Sequence, residues 1–542
     1  MKKIFFILSI LGLSLVHTSC SKDFLDTTPS ADLSGTVLLS TFDGLLAALN
    51  GVHRTMAGLS TNNQTASDMW PGMDGSQGYG GLYSHGIVID HMGDDLVIRH
   101  QANSWHHNAM DWSQHRSESN NNTLRTYSFF FSIIGQMNMI LANVDNIVAT
   151  EDQKNMIRGQ ALAYRSFAYW WLVQLWGERY DNTRSGNNDQ LGVPLVLEVM
   201  TALSPPRPRA TVQQIYDQIN ADLLRAIDYL TDNPVAEALS RSHIRANVAN
   251  GFKARVALTQ GYWALAAHHA RQARQSGNSR LATADELLNG LYAHTHPDFM
   301  WAMHQPPDQS AVQASFSGYM SINYAGTFIR TAIRQIAATL YNSMDPNDIR
   351  RGWWVSDPTD PIYDIIRTPA PIGNGTRIER YGVQKWRMTG SWDVPSTQLV
   401  VDPAFMRISE MYLIEAEAEF MAGDREDYAR AALTTLMEIR VPGFTTTNTG
   451  QALRDEIRRN RRIELWGEGF RWLDLKRHGE GMFRTLADYG PSTDPVWPMA
   501  LFVGSGANAT VNVLIPADDP RWQWMIPRRE ILASHGLIVQ NP

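Results

Sequence analysis

The sequence predicts a mostly α-helical fold, a single domain of tetratricopeptide-like helix hairpins carrying long irregular loops. Three observations predict it. Apolar residues recur at helical spacing in successive segments, as where Ile157, Ala161, Tyr164, Ala168, Trp171 and Leu175 step by four and three. These segments come as pairs joined by short turns and recur at roughly 35 to 45 residues, with small residues where backbones approach. From about Ser40 onward no low-complexity linker, charge run or composition break divides the chain, so residues 40–542 read as one domain.

At the N-terminus, Lys2 and Lys3 precede an apolar run from Ile4 to Val16 that is short for a bilayer span and reads as a secretory signal over residues 1–19. Cys20, the only cysteine, follows Thr18-Ser19 at the spacing where bacterial lipoprotein signal peptidase cleaves and a diacylglycerol is attached, although His17 stands where Leu, Val or Ile is usual. Residues 20–39 then form a lipid-anchored arm. With no second cysteine, disulfides are excluded, and the remaining residues, about 520, must fold on apolar burial.

The first strong helix ends at Gly177, and Thr211 caps the next, through Ile215, Ile219, Leu223, Ile227 and Leu230. Ser242 is expected to open a third, through Val248, Phe252 and Leu258, followed by an alanine-rich helix from Trp263 through Ala266, Ala270 and Ala273. A further pair runs from Arg407 to Met421 and from Glu426 to Ile439. The segment Arg458 to Gly479 reads as one more helix, with Ile463, Trp466, Phe470 and Leu473 on an apolar face. Glu464, Glu468 and Asp474 are placed to pair with Arg461, Arg471 and Arg477 along it.

A net charge of −7, from 47 basic and 54 acidic residues, supplies no basic field and argues against nucleic-acid binding. There is no Gly-rich phosphate loop, no G-x-S-x-G and no cysteine for nucleophilic chemistry. Glu464 and Glu468 could suggest a glycosidase pair, but arginines crowd them and would depress the acid that must hold a proton. His85, His91, His100, His106, His107 and His115 cluster in sequence without H-x-x-x-H or H-E-x-x-H spacing, so no metal or other cofactor is expected.

The unpatterned stretches, 62–122 and 300–400, are where binding chemistry would sit. They hold Trp70, Tyr79, Tyr83, Trp105 and Trp112, and Trp301, Tyr319, Tyr324, Trp353, Trp354, Trp386 and Trp392, among Gly, Asn, Ser and Pro. Flat rings beside hydrogen-bonding side chains suit saccharides, which offer apolar C–H faces and hydroxyl edges.

The run Arg458-Arg459-Asn460-Arg461-Arg462-Ile463-Glu464-Leu465-Trp466-Gly467-Glu468-Gly469-Phe470-Arg471-Trp472-Leu473-Asp474-Leu475-Lys476-Arg477 resembles the C-terminal signature of the RagB/SusD family. Arg407 to Ala418 resembles that family's R-x-x-E-x-Y-L-x-x-A-E-A helix, Arg158 to Gly177 with Gly192 to Val196 another of its segments, and Asp23 to Pro29 the arm after its lipid anchor. The resemblance implies a SusD-like fold and a non-catalytic, lipid-anchored protein of the outer-membrane surface. It would bind oligosaccharide and work with a SusC-like TonB-dependent outer-membrane transporter. A peptide- or glycoprotein-capturing member is the alternative, and a surface glycoside hydrolase a more distant one. The resemblance also directs attention to Trp105, which follows Gly93-Asp94-Asp95, as the first ring expected to stack on ligand. Trp112, Tyr319, Tyr324 and Trp353 complete the expected set.

Overall fold

In the computed structural model, residues 39–57, 81–98, 106–183, 188–305, 316–320, 333–356, 380–386, 401–490 and 513–542 are described. Cys20, Trp105, Tyr324 and His100 lie outside them.

Among the described residues the α-helices of eight residues or more are α1 (Phe42–Ala57), α2 (Leu82–His91), α3 (Asn121–Asn143), α4 (Glu151–Trp176), α5 (Val212–Leu230), α6 (Ala246–Gln260), α7 (Trp263–Gln275), α8 (Ile408–Met421), α9 (Glu426–Arg440), α10 (Gly450–Glu464) and α11 (Arg471–His478). The strands are β1 (Leu96–Val97), β2 (Leu191–Pro194), β3 (Arg209–Thr211), β4 (Phe299–Ala302), β5 (Gln335–Ile336), β6 (Ala404–Arg407), β7 (Met482–Arg484) and β8 (Val513–Ile515). They form four two-stranded antiparallel sheets, β1 with β5, β2 with β3, β4 with β6 and β7 with β8.

From α3 to α9 each helix packs on the next, and α8 also packs on α10, so the paired-helix reading holds. Thr211 caps α5 as expected, in a capping box in which Gln214 returns the bond. Thr150 and Gln153 do the same for α4. The third helix departs from expectation. It begins at Ala246 with Arg245 at its cap, because the Ser242 carbonyl accepts the Trp301 indole N–H (3.2 Å) and its hydroxyl turns to His243. Ala266, Ala270 and Ala273 are buried on the packing face of α7. α3 is long and apolar enough to cross a membrane, yet half of that window is buried within this fold.

Buried bidentate pairs key the helices together: Arg165 on Asp222 between α4 and α5, Arg255 on Glu410 between α6 and α8, and Arg477 on Glu417 between α11 and α8. Such forks fix register because both N–H groups must meet both oxygens.

The signature segment corrects the expectation of one helix. α10 stops at Glu464 and α11 starts at Arg471, with Gly467 (φ 75°) and Gly469 (φ 81°) in the left-handed region between them. A Cβ on Gly469 would come within 2.9 Å of the Gly86 Cα, so α2 crosses at backbone contact. The break lets one segment feed all three apolar clusters. Ile463 and Trp466 enter one, Leu465 and Phe470 a second, and Trp472 and Leu473 the largest.

Candidate ligand-binding site

The two unpatterned stretches meet. β1, from the first, pairs antiparallel with β5, from the second, with Leu96 opposite Ile336 and Val97 opposite Gln335. In that register the chain leaving Val97 and the chain entering Gln335 lie at the same end of the pair. Residues 99–105 and 321–332, which hold Trp105 and Tyr324, therefore join the described structure side by side. Their other ends also converge, since the His106 ring lies 5.5 Å from that of Tyr319 and the Arg334 guanidinium lies over the same tyrosine at 5.2 Å.

This shared root rests on the signature segment. Arg471 donates to Asp94 (2.6 and 3.0 Å), Arg462 donates to Asp95 (2.8 Å), and the Trp466 indole donates to the Asp95 carbonyl (2.8 Å). The Ala337 N–H reaches the same carbonyl (2.8 Å). From the second stretch, Lys385 Nζ donates to the carbonyls of Glu464 (2.8 Å) and Trp466 (2.9 Å). Arg484 on β7 donates to the carbonyls of His91 (2.6 Å) and Met110 (3.0 Å), fixing the rest of the first stretch.

Beneath the root, Glu464 accepts from three buried guanidiniums, Arg350 (3.2 Å), Arg407 (3.0 Å) and Arg440 (2.8 and 3.1 Å). Burial alone would raise its pKa, but Arg440, Arg407 and Arg350 hold it well below the carboxylate range. Glu468 is likewise lowered against its burial by Arg407 and Lys385. Neither carboxyl can keep the proton that a glycosidase acid needs, and both are spent on arginines or lysine. These partners come from distant segments, whereas the sequence suggested pairing along one helix. Only Asp474, with Arg461 (2.8 Å) and Arg477 (2.8 Å), follows that expectation.

Asp90 differs. Burial raises its pKa to about 8, opposed by a hydrogen bond from the Gly469 N–H (2.8 Å). Of the neighbouring pair, Asp94 is held at about 2 by Arg471 against its burial, whereas burial pushes Asp95 upward.

Three of the five expected ligand rings are not platforms. Trp112 is 1% exposed, edge-on to Trp522 at 4.7 Å, with its indole donating to the Met92 carbonyl (2.9 Å). Tyr319 is fully buried against His106 and Arg334, and Trp353 is buried beneath Lys385 with its indole on the Leu287 carbonyl (3.3 Å). A ring with no exposed face cannot stack on a sugar, so these three are corrected to core and loop-root residues. His85, His91, His106 and His115 are also buried; His85 bonds with Thr126, His91 with the Ile87 carbonyl and His115 with the Arg521 carbonyl.

A cavity of about 60 Å³ lies between α2, α4 and the signature break, lined by Trp170, Trp171, Phe316, Trp386, Arg255 and Glu468 among others. Ligand pockets run from about 300 Å³ upward, so this space suits a few water molecules rather than a sugar.

Comparison with known proteins agrees with this architecture. Residues 67–258 match a SusD-like family described as starch-binding and associating with the outer membrane, and residues 343–542 match the SusD family. SusD-like protein P38 of Formosa agariphila is 22% identical over 405 residues, covering 68% of this chain and 75% of its own. A SusD-like carbohydrate binding protein from Bacteroides vulgatus superposes with a TM-score of 0.71 at 21% identity, over 92% of this chain and 97% of that one. The surface glycan-binding protein A from Bacteroides thetaiotaomicron does so with 0.65 at 16% identity, over 93% and 99%. At such identities the structural likenesses establish the fold.

Proposed function

This chain belongs to the SusD/RagB family, and from that premise we propose that it is a non-catalytic glycan-binding lipoprotein of the outer-membrane surface. It captures oligosaccharide for a SusC-like TonB-dependent transporter and is held to the membrane by a lipid on Cys20. The observation that carries the binding reading is the common root of residues 99–105 and 321–332 on the β1–β5 pair. Two segments bearing Trp105 and Tyr324 start from one rigid place, which lets rings from both act on one ligand. Rigid roots matter because ordering a loop on binding subtracts from affinity.

What supports the non-catalytic reading is that Glu464 and Glu468, the carboxylate pair the sequence suggests for a glycosidase, are each locked in buried ion pairs. Calorimetry against a panel of soluble oligosaccharides, with chromatography for products, tests the proposal.

A further inference from the structure

We propose that His294, His304 and Asp402 form a site for one divalent transition-metal ion of the zinc class. The Nδ1 atoms of both imidazoles face the same carboxylate oxygen, Asp402 Oδ2, at 2.7 Å for His294 and 3.5 Å for His304. The three ligand atoms lie within 4.8 Å of one another, and the two rings are 4.0 Å apart at 49°. Two imidazoles turned toward one carboxylate at this range are the donor set that zinc, cobalt, nickel and copper prefer. Calcium and magnesium call for oxygen throughout.

The framework is built for it. His304 follows β4 by two residues and Asp402 precedes β6 by two, so the β4–β6 pair brings these two to one end, while His294, on the chain before β4, is tied to Asp402 by its own backbone N–H. Asp402 is oriented by backbone donors, with the His294 N–H on Oδ2 (3.0 Å) and the Gln305 N–H on Oδ1 (2.7 Å). Its own N–H donates to the Tyr292 carbonyl (2.8 Å), and the Met303 N–H donates to the Pro403 carbonyl (3.0 Å). The side chain of Asp402 is only 10% exposed, whereas that of His304 is 53% exposed, giving the ion a route in and a coordination position facing solvent.

Ligand atoms around zinc stand about 3.3 Å apart for bonds of about 2.0 Å. Coordination therefore replaces the His294–Asp402 hydrogen bond with a separation wider by about half an ångström, which a side-chain rotation supplies. The ion would tie both ends of β4 to the strand that leads into α8, without involving Trp105 or Tyr324, so this proposal stands or falls independently of glycan binding.

The test uses tag-free protein stripped with chelator, titrated with zinc chloride by calorimetry and thermal melting, and with cobalt chloride by visible absorption. The expected result is one saturable zinc per chain, a raised melting temperature and cobalt ligand-field bands. His304→Gln, at an exposed position, should melt like the unmodified protein without zinc, yet bind zinc at least about tenfold more weakly and lose the cobalt bands. Asp402→Asn should also lose zinc binding. Equal zinc affinity in His304→Gln, no saturable zinc binding by the unmodified protein, or equally tight calcium binding at this site would overturn the proposal.

Discussion

The indole N–H of Trp466 donates to the backbone carbonyl of Asp95 at 2.8 Å. The same carbonyl accepts the Ala337 N–H, so one oxygen joins the signature segment to both loop-bearing stretches. Of this segment's charges, Arg462 and Arg471 hold Asp95 and Asp94, while Arg477 pairs with Glu417 on α8, so the segment serves as a footing for β1 and β5.

Trp466→Ala should destabilise the protein by about 3 to 5 kcal/mol, since it empties a buried aromatic volume and removes that bond. The ring is 2% exposed and packs edge-on against Trp354. Urea unfolding followed by circular dichroism checks this, and a loss under about 1 kcal/mol would mean that the segment is not a footing.

Glu464→Gln should cost about 3 to 5 kcal/mol, because it leaves three buried guanidiniums short of a counter-charge. Arg440 suffers most: Arg350 keeps Asp348 and Arg407 keeps Asp298 and Glu468. The check is chemical denaturation of the variant against the unmodified protein.

Asp90 gives a prediction with a sign. Its folded pKa is raised to about 8, against about 3.9 for an unfolded aspartate. Between those values the unfolded chain binds fewer protons than the folded one, so Asp90 makes stability fall as pH rises from about 4 to about 8. Asp90→Asn keeps an acceptor for the Gly469 N–H and removes the ionisable group. It should flatten that slope and stabilise the protein at pH 8 relative to pH 5, by on the order of several kcal/mol. Melting curves across that range decide it, and an unchanged slope contradicts it.

Cys20→Ala should yield unacylated protein that leaves the outer-membrane fraction when the partner transporter is absent, since a lipid supplies anchoring that a folded domain lacks. Fractionation after metabolic labelling with a fatty acid reads both effects.

How much of this was legible depends on the range of the interaction. Thr211 and Gln214 cap α5 through bonds three residues apart, which a sequence displays openly. The Ile463, Trp466, Phe470, Leu473 spacing correctly marked buried residues, yet it suggested one helix. Two glycines with positive φ break the segment, and the four side chains go to three different clusters. The destination of Glu464 was hidden because Arg350, Arg407 and Arg440 approach it from other parts of the chain. Trp112, Tyr319 and Trp353 sit in irregular stretches that looked exposed, but they pack against Trp522, Arg334 and Lys385, more than a dozen residues away in each case. Local signals gave the helices and the family signature; which rings face solvent is set by tertiary contacts.

Calorimetry of the unmodified protein and Trp105→Ala against one soluble oligosaccharide panel tests most directly the proposal that the chain binds glycan through Trp105 without cleaving it. Binding in the micromolar to millimolar range is expected, about −4 to −8 kcal/mol, with no products on chromatography. Trp105→Ala should weaken it at least about tenfold, or 1.4 kcal/mol, while leaving the melting temperature nearly unchanged. Binding to peptides but to no glycan, or any turnover of the oligosaccharide, would contradict the account.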